Sequence, residues 1–330
     1  MATRDDVAKL AGVSPRTVTN VVNGASAVSD ATRGRVLDAV DRLGYRPSEI
    51  GRMLRSGRTG ILVAVLPGVD APYFAELARC LTDAARHRGY TLLIEQSDGE
   101  RERELELLAR ADRKAFFDGL VISPLALQDD DLLRSSRTER PVVLLGEERH
   151  PGFDHVAIDN LAAARAATEH LLASGRRRLV ALGAQHETHS SSSLRLAGFE
   201  AAVAVAGPGV ETTIEYVDGF SREAGAAAAR RLLARDRLPD GLFCFSDLLA
   251  VGAMSVLGEA GVAIPEQVAV IGFNGSDEAR YTRPPLSTVS PDKRAIAETA
   301  LDALVRRIDG DDGPSRSIAI PFEITSRASS

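Results

Sequence analysis

Residues 6–24 read DVAKLAGVSPRTVTNVVNG, and the spacing of their apolar positions predicts two short helices meeting at a tight turn. Val7, Leu10 and Ala11 recur at helical intervals behind Thr3 and Asp6, which have the separation of a capping box. The first helix ends near Gly12. Ser14 is placed to cap the second, Pro15 fits its first turn because a missing N–H is harmless there, and Val18, Val21 and Val22 form its buried side. The opposite face carries Arg16, Thr17, Asn20 and Asn23, spaced so that they project together. Arg suits a bidentate contact with guanine and Asn with adenine in a major groove, whereas the hydroxyls of Ser14, Thr17 and Thr19 suit phosphate oxygens. A solvated helix face is the competing reading of these residues.

Outward from this stretch, a third helix is expected from near Ser29 to Gly44, with Val36, Leu37, Val40 and Leu43 as the stripe that covers the first two. Charge divides along the chain in the same place. Residues 1–58 hold ten Lys/Arg against six Asp/Glu, a balance of +4, and the remainder holds thirty against forty, a balance of −10. A basic head precedes an acidic body, which suits a nucleic-acid-binding module joined to something else.

The runs DVAKLAGVS, TVTNVVNG and VSDATRGRVLDAVDRLGYRPSEIGRMLRSGRTG together resemble the helix-turn-helix and hinge of the lac-repressor family almost without gaps. The resemblance implies a DNA-binding head over residues 1–46 and, over 47–59, a linker that becomes a hinge helix on operator DNA. In that family an apolar hinge side chain is wedged into the minor groove. Leu54 matches it and Ile50 lies on the same face one turn earlier. Two departures stand out. Thr19 and Asn20 occupy positions where the family commonly has serine and arginine, so the operator should differ from those of better-known relatives. Gly51 stands where alanine is usual, and glycine costs a helix about 1 kcal/mol.

Beyond residue 60, apolar runs alternate with helical patterns. ILVAVLP, YTLLIE, GLVISP and PVVLLG read as buried parallel strands, and RRLVALG, TIEYV, GLFCFS and VAVIGFN make a second set. Two doubly wound lobes are the simplest account. The overall expectation is a small all-α helix-turn-helix head plus an α/β two-lobed domain, residues 60–330, with parallel sheets. This stretch also resembles the family's effector domain, which has the fold of periplasmic sugar-binding proteins. PYFAEL, AIDN, LRLAGFEAA, the run from SDLLAVGAM to VAVIGFN, and PPLSTV carry that likeness.

The resemblance implies an effector site position by position. Tyr73 and Phe74 match aromatics of the first lobe, Phe220 an aromatic wall of the second, Arg195 an arginine that reaches the ligand, and Ser246 and Asn274 polar contacts. Each has a structural alternative in packing, surface pairing or, for Ser246 and Asp247, helix capping, which is the role expected of Asp247. The family often has Asn at 246 and Asp at 274, a pair that holds sugar hydroxyls. This chain offers Ser and Asn, which weakens the sugar assignment.

Other features point away from catalysis. His186, Glu187 and His189 in QHETHSSSS lack the spacing of a helical metal site, and GFSREAG does not have a nucleophile-elbow pattern. Cys80 and Cys244 lie in apolar stretches and read as reduced core residues. The 330 residues contain no bilayer-length apolar run, and the first ones lack a secretory segment. The sequence therefore predicts a cytoplasmic regulator rather than an enzyme, without cofactor or metal. Its expected partners are a near-palindromic operator, a small molecule such as a sugar, and a second copy of itself in a homodimer. A ligand-binding protein without a DNA role is the alternative.

Overall fold

The computed structural model describes residues 2–22, 28–45, 58–112, 116–134, 138–146, 152–186 and 191–330. It divides the chain into two units, Met1–Gly60 and Ile61–Ser330. In the first, α1 (Arg4–Ala11) starts on a reciprocal capping box: Thr3 N–H donates to the Asp6 carboxylate at 2.9 Å, and Asp6 N–H donates to Thr3 Oγ1 at 3.3 Å. Left-handed Gly12 stops it. α2 (Pro15–Val22) begins under Ser14, whose Oγ accepts the Thr17 N–H at 3.1 Å. α3 (Asp30–Leu43) ends at left-handed Gly44.

Val7, Ala8, Ala11, Val18, Val21, Val36 and Ala39 form the core of this unit. The α3 stripe differs from the expected one. Leu37 is 46% exposed and Ala39 is buried, with Val40 and Leu43 at the edge of the core. Positions 36, 39, 40 and 43 follow a single helical face, and residue 37 falls about 100° from Val36 around the axis. Leu10 of α1 is exposed for the same reason, since Val7, Ala8 and Ala11 already define the inward face.

The second unit holds two six-stranded sheets. The first lobe is built from β1 (Ile61–Leu66), α4 (Pro72–His87), β2 (Thr91–Gln96), α5 (Arg101–Ala109), β3 (Gly119–Ile122), α6 (Asp129–Arg134), β4 (Val142–Leu145) and β5 (Asp154–Ile158). The second follows with α7 (Asn160–Ala173), β6 (Arg178–Ala184), α8 (Ser191–Ala206), β7 (Glu211–Tyr216), α9 (Arg222–Leu233), β8 (Gly241–Cys244), α10 (Asp247–Glu259), β9 (Ala269–Phe273) and β10 (Ser287–Pro291). The chain then returns to the first lobe for α11 (Lys293–Ile308) and β11 (Ser317–Ile320), and crosses again for β12 (Phe322–Thr325). Strand orders are β11-β5-β4-β3-β1-β2 and β12-β10-β9-β8-β6-β7. Among the described residues, all pairings are parallel except β12 with β10.

Burial on both faces explains the continuous apolar runs. In β1, Leu62, Ala64 and Leu66 enter the core under α4 and α11, whereas Val63 and Val65 enter the opposite one with Leu107 and Leu108 of α5. β2 departs from the expectation of a buried strand: it pairs in parallel with β1 but lies at the sheet edge, leaving Leu93 and Ile94 substantially exposed. In the second lobe α9 and α10 pack backbone to backbone. A Cβ on Gly252 would lie 1.9 Å from the Arg222 carbonyl oxygen, and one on Gly225 2.1 Å from that of Leu249. Among the described residues no helix is long and apolar enough to cross a membrane.

Candidate functional site

On α2, Arg16 is exposed and Asn20, one turn later, is half-buried. The three hydroxyls around them are held locally. Ser14 Oγ lies 2.9 Å from Thr17 Oγ1, and Thr19 Oγ1 donates to the Pro15 carbonyl at 3.1 Å. Ser14 and Pro15 are exposed at the start of the helix, whose first turn contains no acidic residue. That end therefore presents hydroxyls and amide dipoles suited to an anion, beside the two side chains suited to base edges. Asn23, Ile50 and Leu54 lie outside the described residues.

In the second lobe, Arg195 of α8 is buried. Its Nε donates to Asn160 Oδ1 at 2.8 Å and its Nη1 to the Phe245 carbonyl. The guanidinium carbon sits 3.7 Å from the centroid of the Phe273 ring and 5.8 Å from that of Phe220. Phe245 precedes Ser246 after β8, and Phe273 ends β9 just before Asn274. Arg195 thus gathers Phe220 and the flanks of two more expected positions at strand C-terminal ends. Asn274 adopts φ +112°, a backbone region that is costly outside glycine and that concentrates at functional sites.

In the first lobe, Tyr73 and Phe74 meet edge to face in the first turn of α4, with ring centroids 5.1 Å apart. Lys293, the first residue of α11, holds its Nζ 5.8 Å from the Tyr73 ring centroid and donates to the Gly275 carbonyl at 2.8 Å. This links Tyr73 to the residue next to Asn274.

Ser246 is fully buried and caps α10, accepting the Leu249 N–H at 3.2 Å. The cap expected of Asp247 is therefore Ser246's. Asp247 is the first helical residue, and its carboxylate instead accepts the Ser276 N–H at 2.7 Å and the Thr288 hydroxyl at 2.6 Å. Burial pushes its pKa up to about 6, against the lowering effect of those hydrogen bonds. Burial likewise raises both thiols: Cys80 is half-buried on α4, Cys244 is enclosed at the end of β8, and neither forms a disulfide.

The sequence reading did not single out Asn160, Phe273, Glu76 or Lys293. Asn160 and Phe273 fall within the quoted segments AIDN and VAVIGFN, and their order there was the available signal. Glu76 falls within the quoted PYFAEL, but Lys293 lies more than two hundred residues away and no pattern joins the two. His186 is exposed and stacks on Tyr216, with centroids 4.6 Å apart; Glu187 and His189 lie outside the described residues.

Two family models match the chain: bacterial regulatory proteins of the lacI family over residues 3–48, and a periplasmic binding protein-like domain over residues 168–330. The HTH-type transcriptional repressor PurR of Photobacterium profundum is 31% identical over 332 residues, covering 100% of this chain and 98% of that protein. PurR of Mannheimia succiniciproducens is 32% identical over 334 residues, with 100% and 98% covered. Among solved structures, a complex of the transcriptional regulator CelR with cellobiose is 29% identical, covers 100% of both chains and superposes with a TM-score of 0.71. The lac repressor dimer bound to operator and an anti-inducer shares the fold, with a TM-score of 0.88, 24% identity, and coverage of 99% of this chain and 98% of that one. With its helix-turn-helix head and its two-lobed, mostly parallel α/β domain, the chain belongs to the lacI family of bacterial regulatory proteins, which are DNA-binding transcriptional regulators and not enzymes.

Proposed function

We propose that this repressor acts as a homodimer on a near-palindromic operator and that a small molecule bound between its lobes controls its affinity for DNA. Residues 1–46 form the reading head, 47–59 the hinge with Ile50 and Leu54 facing the minor groove, and 60–330 the effector and dimerisation domain. Arg16 and Asn20 read bases, whereas Ser14, Pro15, Thr17 and Thr19 position the head, and Asn23 is a further DNA-contacting residue. The observation that carries effector control is the buried Arg195 guanidinium set over the Phe273 ring and near the Phe220 ring, beside Asn160 and the backbone leading to Ser246 and Asn274. Aromatic faces with converging polar groups suit a sugar or a related ring-shaped metabolite, with Tyr73 and Phe74 covering it from the first lobe. The cellobiose complex of CelR, which aligns over both whole chains, supports this class.

A thermal-shift screen of sugars, sugar phosphates, nucleosides and purines tests the reading, because a ligand of the folded state raises the melting temperature by mass action. A hit should change operator affinity in gel shifts. Phe220→Ala and Asn274→Ala should abolish the thermal shift and retain ligand-free operator binding. Arg195→Ala is the poorer probe, since it also removes the partner of Asn160 and of the Phe245 carbonyl. Unaltered ligand binding in both Phe220→Ala and Asn274→Ala would move the site elsewhere, and a ligand without effect on operator binding would end the control model.

A further inference from the structure

Four consecutive backbone N–H groups after β9 are each held by a different partner. Asn274 N–H donates to the Val289 carbonyl at 2.9 Å, Gly275 N–H to Thr288 Oγ1 at 3.2 Å, Ser276 N–H to Asp247 Oδ2 at 2.7 Å, and Asp277 N–H to Glu76 Oε1 at 2.9 Å. The first three partners belong to the second lobe, as the loop does. The fourth projects from α4 of the first lobe. Glu76 also pairs with Lys293, its Oε2 lying 3.0 Å from Nζ, and the same ammonium donates to the Gly275 carbonyl at 2.8 Å. One carboxylate and one ammonium of the first lobe therefore grip both a donor and an acceptor of a single second-lobe loop.

Two further facts make this grip consequential. The side chains of Lys293 and Glu76 are only 11% and 27% exposed, so their attraction is less screened than that of a surface pair. The nearby charges have partners of their own: Arg294 binds Glu298 at 2.8 Å, Arg222 binds Glu278 at 2.6 Å, and Arg280 lies 3.8 Å from Asp277. The loop is also tightly seated. Gly275 has φ +58°, and a Cβ there would lie 2.5 Å from Ser290 Oγ on β10.

We infer that Glu76 and Lys293 are positioning residues that act as a pair, latching loop 274–277 to the first lobe and so tying the placement of Asn274 to lobe closure. Separating the lobes breaks the Glu76 bond to Asp277 N–H and draws Glu76 away from Lys293, which sits at the crossover two residues past β10 and holds the Gly275 carbonyl. A ligand resting on Asn274 would then have different affinities for the latched and unlatched arrangements, which is what allows a ligand to shift one to the other. The inference rests on the proposed effector site only in assigning Asn274 to it; the latch itself requires no ligand.

The test is hydrogen–deuterium exchange of the full-length protein without ligand or DNA, comparing parent, Glu76→Ala, Lys293→Met, the double variant and Lys293→Arg. Exchange at the Asp277 amide should quicken by at least about tenfold in each single variant, while the Ser276 amide, held by Asp247, and peptides from β8 and β9 stay at the parental rate. The double variant should be no faster than the singles, because the two groups form one unit. Lys293→Arg, which keeps two donors, should restore the parental rate. Parental exchange in either Glu76→Ala or Lys293→Met, acceleration spread over the whole lobe, additive effects in the double variant, or an Arg variant as fast as the Met variant would each overturn the latch. Because no effector is present, failure here leaves the effector site standing, and an empty ligand screen leaves the latch standing.

Discussion

Arg16 is the exposed cation of α2 and stands one turn from Asn20, so both can reach one stretch of base edges. Arg16→Ala should cost about 1 to 3 kcal/mol of operator binding and relax preference at one base pair per half-site. Competition gel shifts against single-base operator variants measure this, and an equal loss on every sequence would make Arg16 a phosphate contact. Asp247 gives a residue-scale prediction of another kind. Its folded pKa of about 6 lies above the ordinary 3.8 because burial disfavours the charge. The folded chain therefore holds that proton more tightly than the unfolded chain. The stabilisation is full below about pH 4 and is lost as pH rises through 6, a change on the order of 3 kcal/mol. Asp131, Asp154 and Asp311, whose pKa values are lowered, act in the opposite sense, so the parent must be compared with Asp247→Asn. In urea titrations the parent should lose stability relative to the variant between pH 4 and 7. Parallel pH profiles would show that the carboxyl does not titrate there.

α10 contains two glycines in opposite circumstances. Gly252 faces α9 at backbone contact, whereas nothing lies within 4 Å of a Cβ at Gly258. A methyl group on residue 252 cannot rotate away from the Arg222 carbonyl, so Gly252→Ala should force the helices apart and destabilise the lobe by about 1 to 3 kcal/mol or more. Gly258→Ala adds helix propensity without a clash and should stabilise by up to about 1 kcal/mol. Chemical denaturation of the two variants checks the pair, and equal effects would refute backbone-to-backbone packing of α9 and α10. The hydrophobic pattern of α10 alone did not distinguish the two positions, since both glycines interrupt the same apolar helix.

For the whole molecule, the basic head and acidic body imply binding that depends on salt and on copy number. One three-helix head reaches too few bases for useful discrimination, and a two-fold pair of heads supplies two half-sites. Sedimentation should report two copies of the chain, with operator affinity falling steeply as salt rises. A stable monomer at concentrations that saturate the operator would contradict this.

How much of the fold and of the site the sequence encodes legibly depends on the range over which each feature is written. The Thr3–Asp6 box, the stops at Gly12 and Gly44, the Ser14 cap and the apolar runs of both sheets are encoded by residues a turn or a strand apart, where periodicity and backbone stereochemistry act directly. Family order located Tyr73, Arg195, Phe220 and Asn274 as candidates without showing what each touches. Lobe membership was legible only while the chain stayed local. α11 and β11 belong to the first lobe because Ser317 pairs with His155, a partner more than 150 residues earlier that no periodic pattern names. The exposure of Leu37 and of β2, the passing of the cap from Asp247 to Ser246, and the grip of Glu76 and Lys293 on loop 274–277 were likewise settled by packing. A sequence pattern states which side of an element is apolar; which surface meets that side depends on the path of the whole chain.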